Sequence, residues 1–427
     1  MVDYRPIPDR RKLFHEYRMY AFAPEQGPPA YDPEEHDTPR ALLGNPRGVF
    51  ADGDDERDER GTIDGDGTDA DPRCVCRHYW LEARVRGELH PTAGLAAVAT
   101  PPEHRRGGYV GTMLERSLEE YRDRGDRFAV LWPFEYAFYR QFGWDTSNRV
   151  AFHECEPGEL SFATAAIDGE GSFYSVDPDE YDVLDPAYER YAERYALALE
   201  RDREWWRCRL FENHDTDPFV YAYERDGDVR GYLIYTIDDD PTRDGRTMDV
   251  FEPAFADHDA LLALLSFCHK HDSQVERVRL RLPADVPLLD IAQRPDAVET
   301  TVETGPMVRI VDVAEALSAV SYPDLAAPAS ITLSVTDPVA DWNEGAFALS
   351  VSEGRGTCDR VAADAGSDPD PDADAHLDIG ALSQLVVGYR SATDLERTGR
   401  LETGDSATLE TLEALFSETA VYLGDRF

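Results

Sequence analysis

Between residues 98 and 111 the chain reads Val98-Ala99-Thr100-Pro101-Pro102-Glu103-His104-Arg105-Arg106-Gly107-Gly108-Tyr109-Val110-Gly111. An apolar strand-like run ends, a turn with two arginines and two glycines follows, and a helical pattern begins at once. Residues of these types in this order suit an anion. The first N–H groups of a helix have no partner inside it and carry partial positive charge. Glycines let the backbone approach a phosphate, and Arg105 and Arg106 place guanidinium donors beside it. The plain alternative is an ordinary strand–turn–helix joint. The chain has 43 basic against 86 acidic residues and lysine only at Lys12 and Lys270, so a paired-arginine turn is out of keeping with its surroundings. A pyrophosphate site is the reading it favours.

The elements around this turn follow from spacing. Val110, Leu114, Leu118 and Tyr121 recur on one face, predicting a helix over Tyr109–Arg124 that Gly125 stops. Runs at 4–7, 47–51, 79–89, 94–100 and 128–132 read as strands, with a helix between the first two that carries Phe14, Tyr17, Met19 and Tyr20. That is an α/β layout of helices over a mixed sheet. The acidic, glycine-rich run 52–72 has almost nothing to bury and reads as a solvated hairpin insertion. It lacks the glycine and terminal glutamate of a calcium loop.

A second α/β segment opens near residue 150. It contains a long helix over 185–199, with Asp185 as cap and Pro186 at the first helical position. A Trp205-Trp206 pair, strands at 219–224, 229–238 and 278–282, and a helix at 259–271 follow, with no glycine-rich turn. From 306 an α+β unit is predicted, with strands at 308–313, 331–335 and 346–351. A proline–aspartate loop at 367–375 and helices at 380–385 and 406–416 complete it. The 427 residues thus divide as 1–149, 150–305 and 306–427.

Composition narrows the partners. A formal charge of -43 opposes binding to nucleic acid and docking on anionic lipid. Attraction of a cationic amine is one use of such a field, and solubility in a salt-rich cytoplasm is the other. The acid is spread along the whole chain, which favours the second and a halophilic source. The polar start (residues 1–11), without a signal peptide, and the lack of about 20 consecutive apolar residues place the expectation at a cytoplasmic protein with no membrane partner. The six cysteines are scattered. Cys74-Val75-Cys76 and Cys268-His269-Lys270-His271 have no second half at zinc spacing, so no metal is expected.

The 98–111 segment resembles the acyl-CoA signature Arg/Gln-x-x-Gly-x-Gly/Ala of the GNAT N-acetyltransferases. Arg105 and Gly108 meet it, and Val110 stands at the last, small-residue position. The likeness extends to Pro91-Thr92-Ala93-Gly94-Leu95, to Phe138-Tyr139-Arg140-Gln141-Phe142-Gly143-Trp144, to Met307-Val308-Arg309-Ile310-Val311-Asp312-Val313, and to the final Phe427. In that order they resemble the Eis (enhanced intracellular survival) family.

The resemblance implies two tandem GNAT-like domains, the second without a CoA site, then a sterol-carrier-protein-like domain, assembled as a homohexamer. It implies acetyl-CoA as co-substrate, held by Val98, Ala99 and Thr100 through the backbone and by Arg105, Arg106, Gly107, Gly108, Val110 and Gly111. It implies direct attack by a primary amine on a small molecule or peptide. Tyr139 would then be the acid for the leaving thiolate, and the carboxylate of Phe427 the base or amine anchor. A free α-carboxylate titrates near pH 3.5, so it would act through water or by holding the ammonium. Packed-aromatic and frayed-end readings of these two residues are the alternatives. Arg426 beside that carboxylate would weaken attraction for a polycationic acceptor, with Asp425 expected to offset it by pairing with Arg426. A non-catalytic lipid carrier using the third domain, and an acidic scaffold, are the competing classes.

Overall fold

A computed structural model of the protein describes residues 2–51, 71–166, 171–212, 216–239, 245–361 and 373–427. Most of the acidic run 52–72 and of the proline–aspartate loop 367–375 lie outside these.

The first sheet begins with β1 (Val2–Pro6), β2 (Asn45–Ala51), β3 (Cys74–Val85), β4 (Glu88–Ala99), β5 (Phe128–Leu131) and β6 (Asp145–Thr146). Strands β1 to β4 form an antiparallel meander, and the Tyr109–Arg124 helix carries the chain back so that β5 lies parallel to β4. Alternation along the strands divides the faces. Ala93, Leu95, Ala129 and Leu131 meet Met113, Leu114, Leu118 and Tyr121 of the helix. Tyr79, Leu81, Phe128 and Val130 face the opposite layer.

The second sheet holds β7 (Arg149–Cys155), β8 (Ser172–Ser175), β9 (Phe219–Arg225), β10 (Asp228–Asp239), β11 (Arg246–Phe255), β12 (Arg277–Pro283) and β13 (Glu299–Thr304). The order across it is β13-β7-β12-β11-β10-β9-β8. Here too a helix, His258–His269, joins parallel neighbours, β11 and β12. The chain then returns to the first sheet as β14 (Met307–Ile310), which inserts between β5 and β6. The third sheet consists of β15 (Ala329–Thr336), β16 (Gly345–Ser352), β17 (Arg355–Arg360), β18 (Ala375–Asp378) and β19 (Leu401–Thr403), in the order β17-β16-β15-β18-β19. The Ile379–Val387 helix of this unit packs on β14.

Several expectations need correction. The strand read at 79–89 is broken by a hairpin turn at Arg86 and Gly87, both in the left-handed region. The helix expected over 185–199 stops at Ala192. Beyond it Leu197 has φ 65°, which no helix continues through, and the chain bonds to β3 through Leu197 N–H to Arg84 O and Arg84 N–H to Ala198 O. Backbone pairing to other segments replaces helix bonds there. Asp185 does not cap this helix; its carboxylate accepts the Trp206 indole N–H at 2.6 Å. The strand expected at 308–313 ends at Ile310, and Asp312 caps a helix, Val313–Ala319. A boundary at 306 therefore cuts through the first sheet, since Met307–Ile310 is one of its interior strands.

Arg309 explains why β14 belongs there. Its guanidinium is fully buried, donates to the Phe142 carbonyl and pairs with fully buried Asp337 at the end of β15. One side chain thus ties the segment after Tyr139 to the third unit. Removing one partner of a buried pair strands the other charge. Asp337→Ala is expected to lower the free energy of unfolding by about 3–5 kcal/mol, whereas replacing Arg309 by Met together with Asp337 by Leu costs much less. Denaturant titration of the three proteins checks this, and equal losses in the single and double variants would exclude it.

Candidate active site

The described pairing between β4 and β5 ends at Leu95 and Leu131, while β4 continues to Ala99. Opposite Cys76 the strand bulges, with Ala97 at φ 51° and two residues, Ala97 and Val98, facing one on β3. Past Leu95 the strands therefore diverge. The β4 backbone through Val98 and Ala99 faces an opening on its β5 side, where an extended polar chain can add as a further strand.

At the end of that opening lies the arginine–glycine turn. Gly108 precedes the Tyr109–Arg124 helix at φ 80°, a conformation that costs an L-residue strain, and Arg106 also has a positive φ of 61°. No side chain caps the helix, and its first turn has no acidic residue. Among the described residues the backbone N–H groups of Arg106, Gly107, Gly108, Tyr109, Val110 and Gly111 have no acceptor; the next donor, Thr112 N–H, bonds to Gly108 O. Six successive free donors at a positive helix end suit an anion such as a pyrophosphate. The two arginines differ. Arg105 turns back, donating to Thr100 O at 3.1 Å and lying over the Tyr20 ring, while Arg106 is exposed. The Val110 side chain packs at the edge of the core, so only its backbone faces the turn.

The second sheet repeats the strand–helix–strand layout without this opening. Asp257 caps the His258–His269 helix, accepting from Ala260 N–H at 2.9 Å and pairing with Arg230, and Asp259 stands in its first turn. Carboxylate already occupies the place a phosphate would take.

Tyr139 lies in the short Tyr136–Arg140 helix after β5 and is 2% exposed. Its ring contacts Phe134, Phe138 and Trp144, and its hydroxyl has no hydrogen-bond partner among the described residues. Burial pushes the phenol well above its usual pKa, so it stays protonated. It belongs with Ala93 and Leu95 on the helix-covered face of β4.

Phe427 approaches β4 from the other face. Its ring meets Tyr79 at 5.3 Å and Trp205 at 6.0 Å between centroids. A Cβ on Gly94 would stand 3.0 Å from the Phe427 ring, so that glycine is what lets the ring lie against the strand. The tail behind it is fixed. Trp132, which directly follows β5, donates its indole N–H to Asp425 O at 2.8 Å. Arg281 on β12 donates to Gly424 O at 2.7 Å, and Arg209 donates to Arg426 O. The Asp425 carboxylate accepts from Arg201 Nε at 3.0 Å and from the Trp205 indole at 2.7 Å. Arg201 also pairs with Glu252 at 2.8 Å. The expected Asp425–Arg426 pair is not formed; Arg426 lies over the Trp132 ring instead, at 4.8 Å.

The predicted residues thus gather around the mouth of β4 and β5: the CoA-loop set at one end, Tyr139 on one face, Phe427 on the other. Sequence reading assigned no role to Arg201, Trp132, Arg209 and Arg281, and noted Trp205 and Gly94 without giving them one. Only the paired tryptophans and the unexplained glycine inside a strand were visible signals. Among the described residues no three His, Cys, Asp or Glu side chains gather as metal ligands, and no helix is long and apolar enough to cross a membrane.

Comparison with known proteins agrees with this fold. Acetyltransferase (GNAT) domain families match residues 67–147 and 197–310, and a sterol carrier protein domain family matches 313–424. The N-acetyltransferase Eis of Mycobacterium tuberculosis is 28% identical over 368 residues, covering 83% of this chain and 85% of that protein. An uncharacterized N-acetyltransferase of Streptomyces avermitilis is 26% identical over 80% of this chain and 83% of its own. Among solved structures, Eis1 from Mycobacterium abscessus shares the fold with a TM-score of 0.74 at 23% identity, covering both chains completely. A GCN5-related N-acetyltransferase from Anabaena variabilis does so at 0.81 and 20% identity, also over the whole of both chains. Two GNAT domains and a sterol-carrier-protein-like domain in series, with a relative aligned along most of the length, place the chain in the Eis family of GNAT N-acetyltransferases.

Proposed function

We propose that this chain transfers the acetyl group of acetyl-CoA to a primary amine by direct attack at the mouth of β4 and β5. The observation that carries the reading is the meeting of three features there: the unpaired N–H groups of residues 106–111, the buried protonated Tyr139, and the anchored Phe427. The cradle of Arg106–Gly111 holds the pyrophosphate, and the β4 backbone at Val98, Ala99 and Thr100 pairs with the pantetheine arm. A β4 N–H polarises the acetyl carbonyl. The second unit, its helix capped by Asp257, binds no CoA and supports the acceptor side. By family likeness the assembly is a homohexamer, which light scattering on the purified protein tests.

In this reading the amine nitrogen forms the new bond to the carbonyl carbon as the carbon–sulfur bond breaks. Tyr139 gives its proton to the departing thiolate. The Phe427 carboxylate holds the incoming ammonium and takes its proton through water. The two groups approach from opposite faces of β4, so acceptor and leaving group do not compete for one space. Much of the acceleration comes from holding both reactants in line.

Tyr139→Phe is expected to lower kcat by about 10²–10³ while acetyl-CoA still binds; unchanged turnover removes the acid role. Because burial raises the phenol, the alkaline limb of wild-type kcat lies above an ordinary tyrosine pKa of about 10. Gly94→Val expels the Phe427 ring and is expected to abolish acetylation with acetyl-CoA binding retained, read by free-thiol release and calorimetry. Asp425→Ala strands buried Arg201 with Glu252 alone and is expected to cost about 2–4 kcal/mol of stability together with activity. Full turnover by that variant would mean that the tail's position is immaterial.

A further inference from the structure

A cavity of about 340 Å³ opens beside the anchored tail, between the α-helical turn at Pro39–Leu42 and the face of the second sheet. Its lining is unexpected in a chain of charge -43. Five arginines reach it: Arg40, Arg209, Arg279, Arg281 and Arg426. Four of these, Arg209, Arg279, Arg281 and Arg426, form no ion pair with a carboxylate among the described residues. Arg281 is 8% exposed, and its Nε is buried with no hydrogen-bond partner although its Nη2 is used by Gly424 O. Arg281 and Arg426 lie over the same Trp132 ring, at 5.6 and 4.8 Å, so two like charges lie close to one another. Arg279 stacks on Phe152 at 4.6 Å.

Carboxylates line it too, and they cancel this charge only in part. Glu252 and Asp425 both pair with the buried Arg201. Asp249 and Glu303 are the other two, and Glu303 offsets part of the charge of Arg426. Burial raises the Asp249 carboxyl above its usual range, against the pull of Arg279, so its negative charge is disfavoured there. What remains is a wall of guanidinium groups held in place by aromatic rings and backbone carbonyls. Natural chains rarely leave a buried guanidinium nitrogen without an acceptor. The arginine fork matches the two oxygens of a carboxylate.

Position connects this wall to the chemistry. Trp132 follows β5 directly, and Phe427, next to Arg426, lies against β4. The cavity is therefore on the acceptor side of the mouth. We propose that the acceptor amine also carries a carboxylate, which Arg279, Arg281 and Arg426 bind while the amine reaches past Phe427 to the acetyl carbonyl. This deepens the acetyltransferase reading and rests on it. It sets the chain apart from an enzyme for polycationic amines, whose second ammonium would face these guanidinium groups.

The test compares three acceptors of one length, 6-aminohexanoate, hexylamine and hexane-1,6-diamine, by kcat/KM from thiol release with the full-length protein. The expected order is the amino acid first, exceeding the diamine by about tenfold or more, the worth of one charge-assisted hydrogen bond. Arg279→Met, which leaves every hydrogen bond of the tail in place, and Arg426→Met are each expected to shrink that ratio. A preference for the diamine, or a ratio indifferent to both variants, overturns the proposal while leaving the acetyltransferase intact. If none of the three is acetylated, titration calorimetry of 6-aminohexanoate with CoA present decides separately. Binding by the wild type that Arg279→Met weakens upholds the carboxylate site even where the transferase reading fails, and no binding ends it.

Discussion

Arg201 is the side chain on which the arrangement of this molecule turns. Its guanidinium is buried between the two larger sheets and satisfied by Glu252 from the second sheet and by Asp425 from the tail. A buried cation without partners is too costly to keep, so the tail has to pass this point for the interior to be stable. Once Asp425 is placed, Arg281 and Trp132 fix Gly424 and the Asp425 carbonyl, and Phe427 falls against Gly94. A structural requirement of the core thereby delivers the last residue to the mouth of β4 and β5.

The two related units solve the same folding problem with opposite helix starts. Both place a helix between parallel strands, and both must deal with the unpaired N–H groups at its beginning. In the second unit the Asp257 carboxylate accepts one of them, Ala260 N–H, and puts negative charge at the helix start. In the first unit glycine and arginine leave six donors open, a local cost in stability that an anion seated there would remove. The difference is one of a few side chains, and it leaves one helix start open and the other occupied by carboxylate.

The third unit is joined to the first through the sheet itself. Because β14 inserts between β5 and β6 and Arg309 reaches both Phe142 O and Asp337, the segment bearing Tyr139 is braced by the unit that ends in Phe427. The Leu197–Leu199 stretch adds a second brace, bonding to β3 on one side while Ala196 bonds to Ala420 and Tyr422 on the other. Both features were misread from the chain as a longer strand and a longer helix. For the helix, hydrogen bonds to residues far away in sequence overrode the local pattern, whereas the strand is cut short locally by the Asp312 cap.

The sequence by itself determined what short-range physics controls. The Tyr109–Arg124 helix follows from its apolar spacing and its closing glycine, and the open turn before it follows from residues that cannot cap. The tandem α/β layout and the arginine–glycine turn could be read on those grounds, while Tyr139 and Phe427 were named through family likeness alone. Only the tertiary structure decided which buried charges pair, that Asp425 serves Arg201 and not its neighbour, and that five arginines from four separate segments share one cavity. Those outcomes depend on which distant side chains a low-dielectric interior brings within bonding distance, and no spacing along the chain encodes that distance.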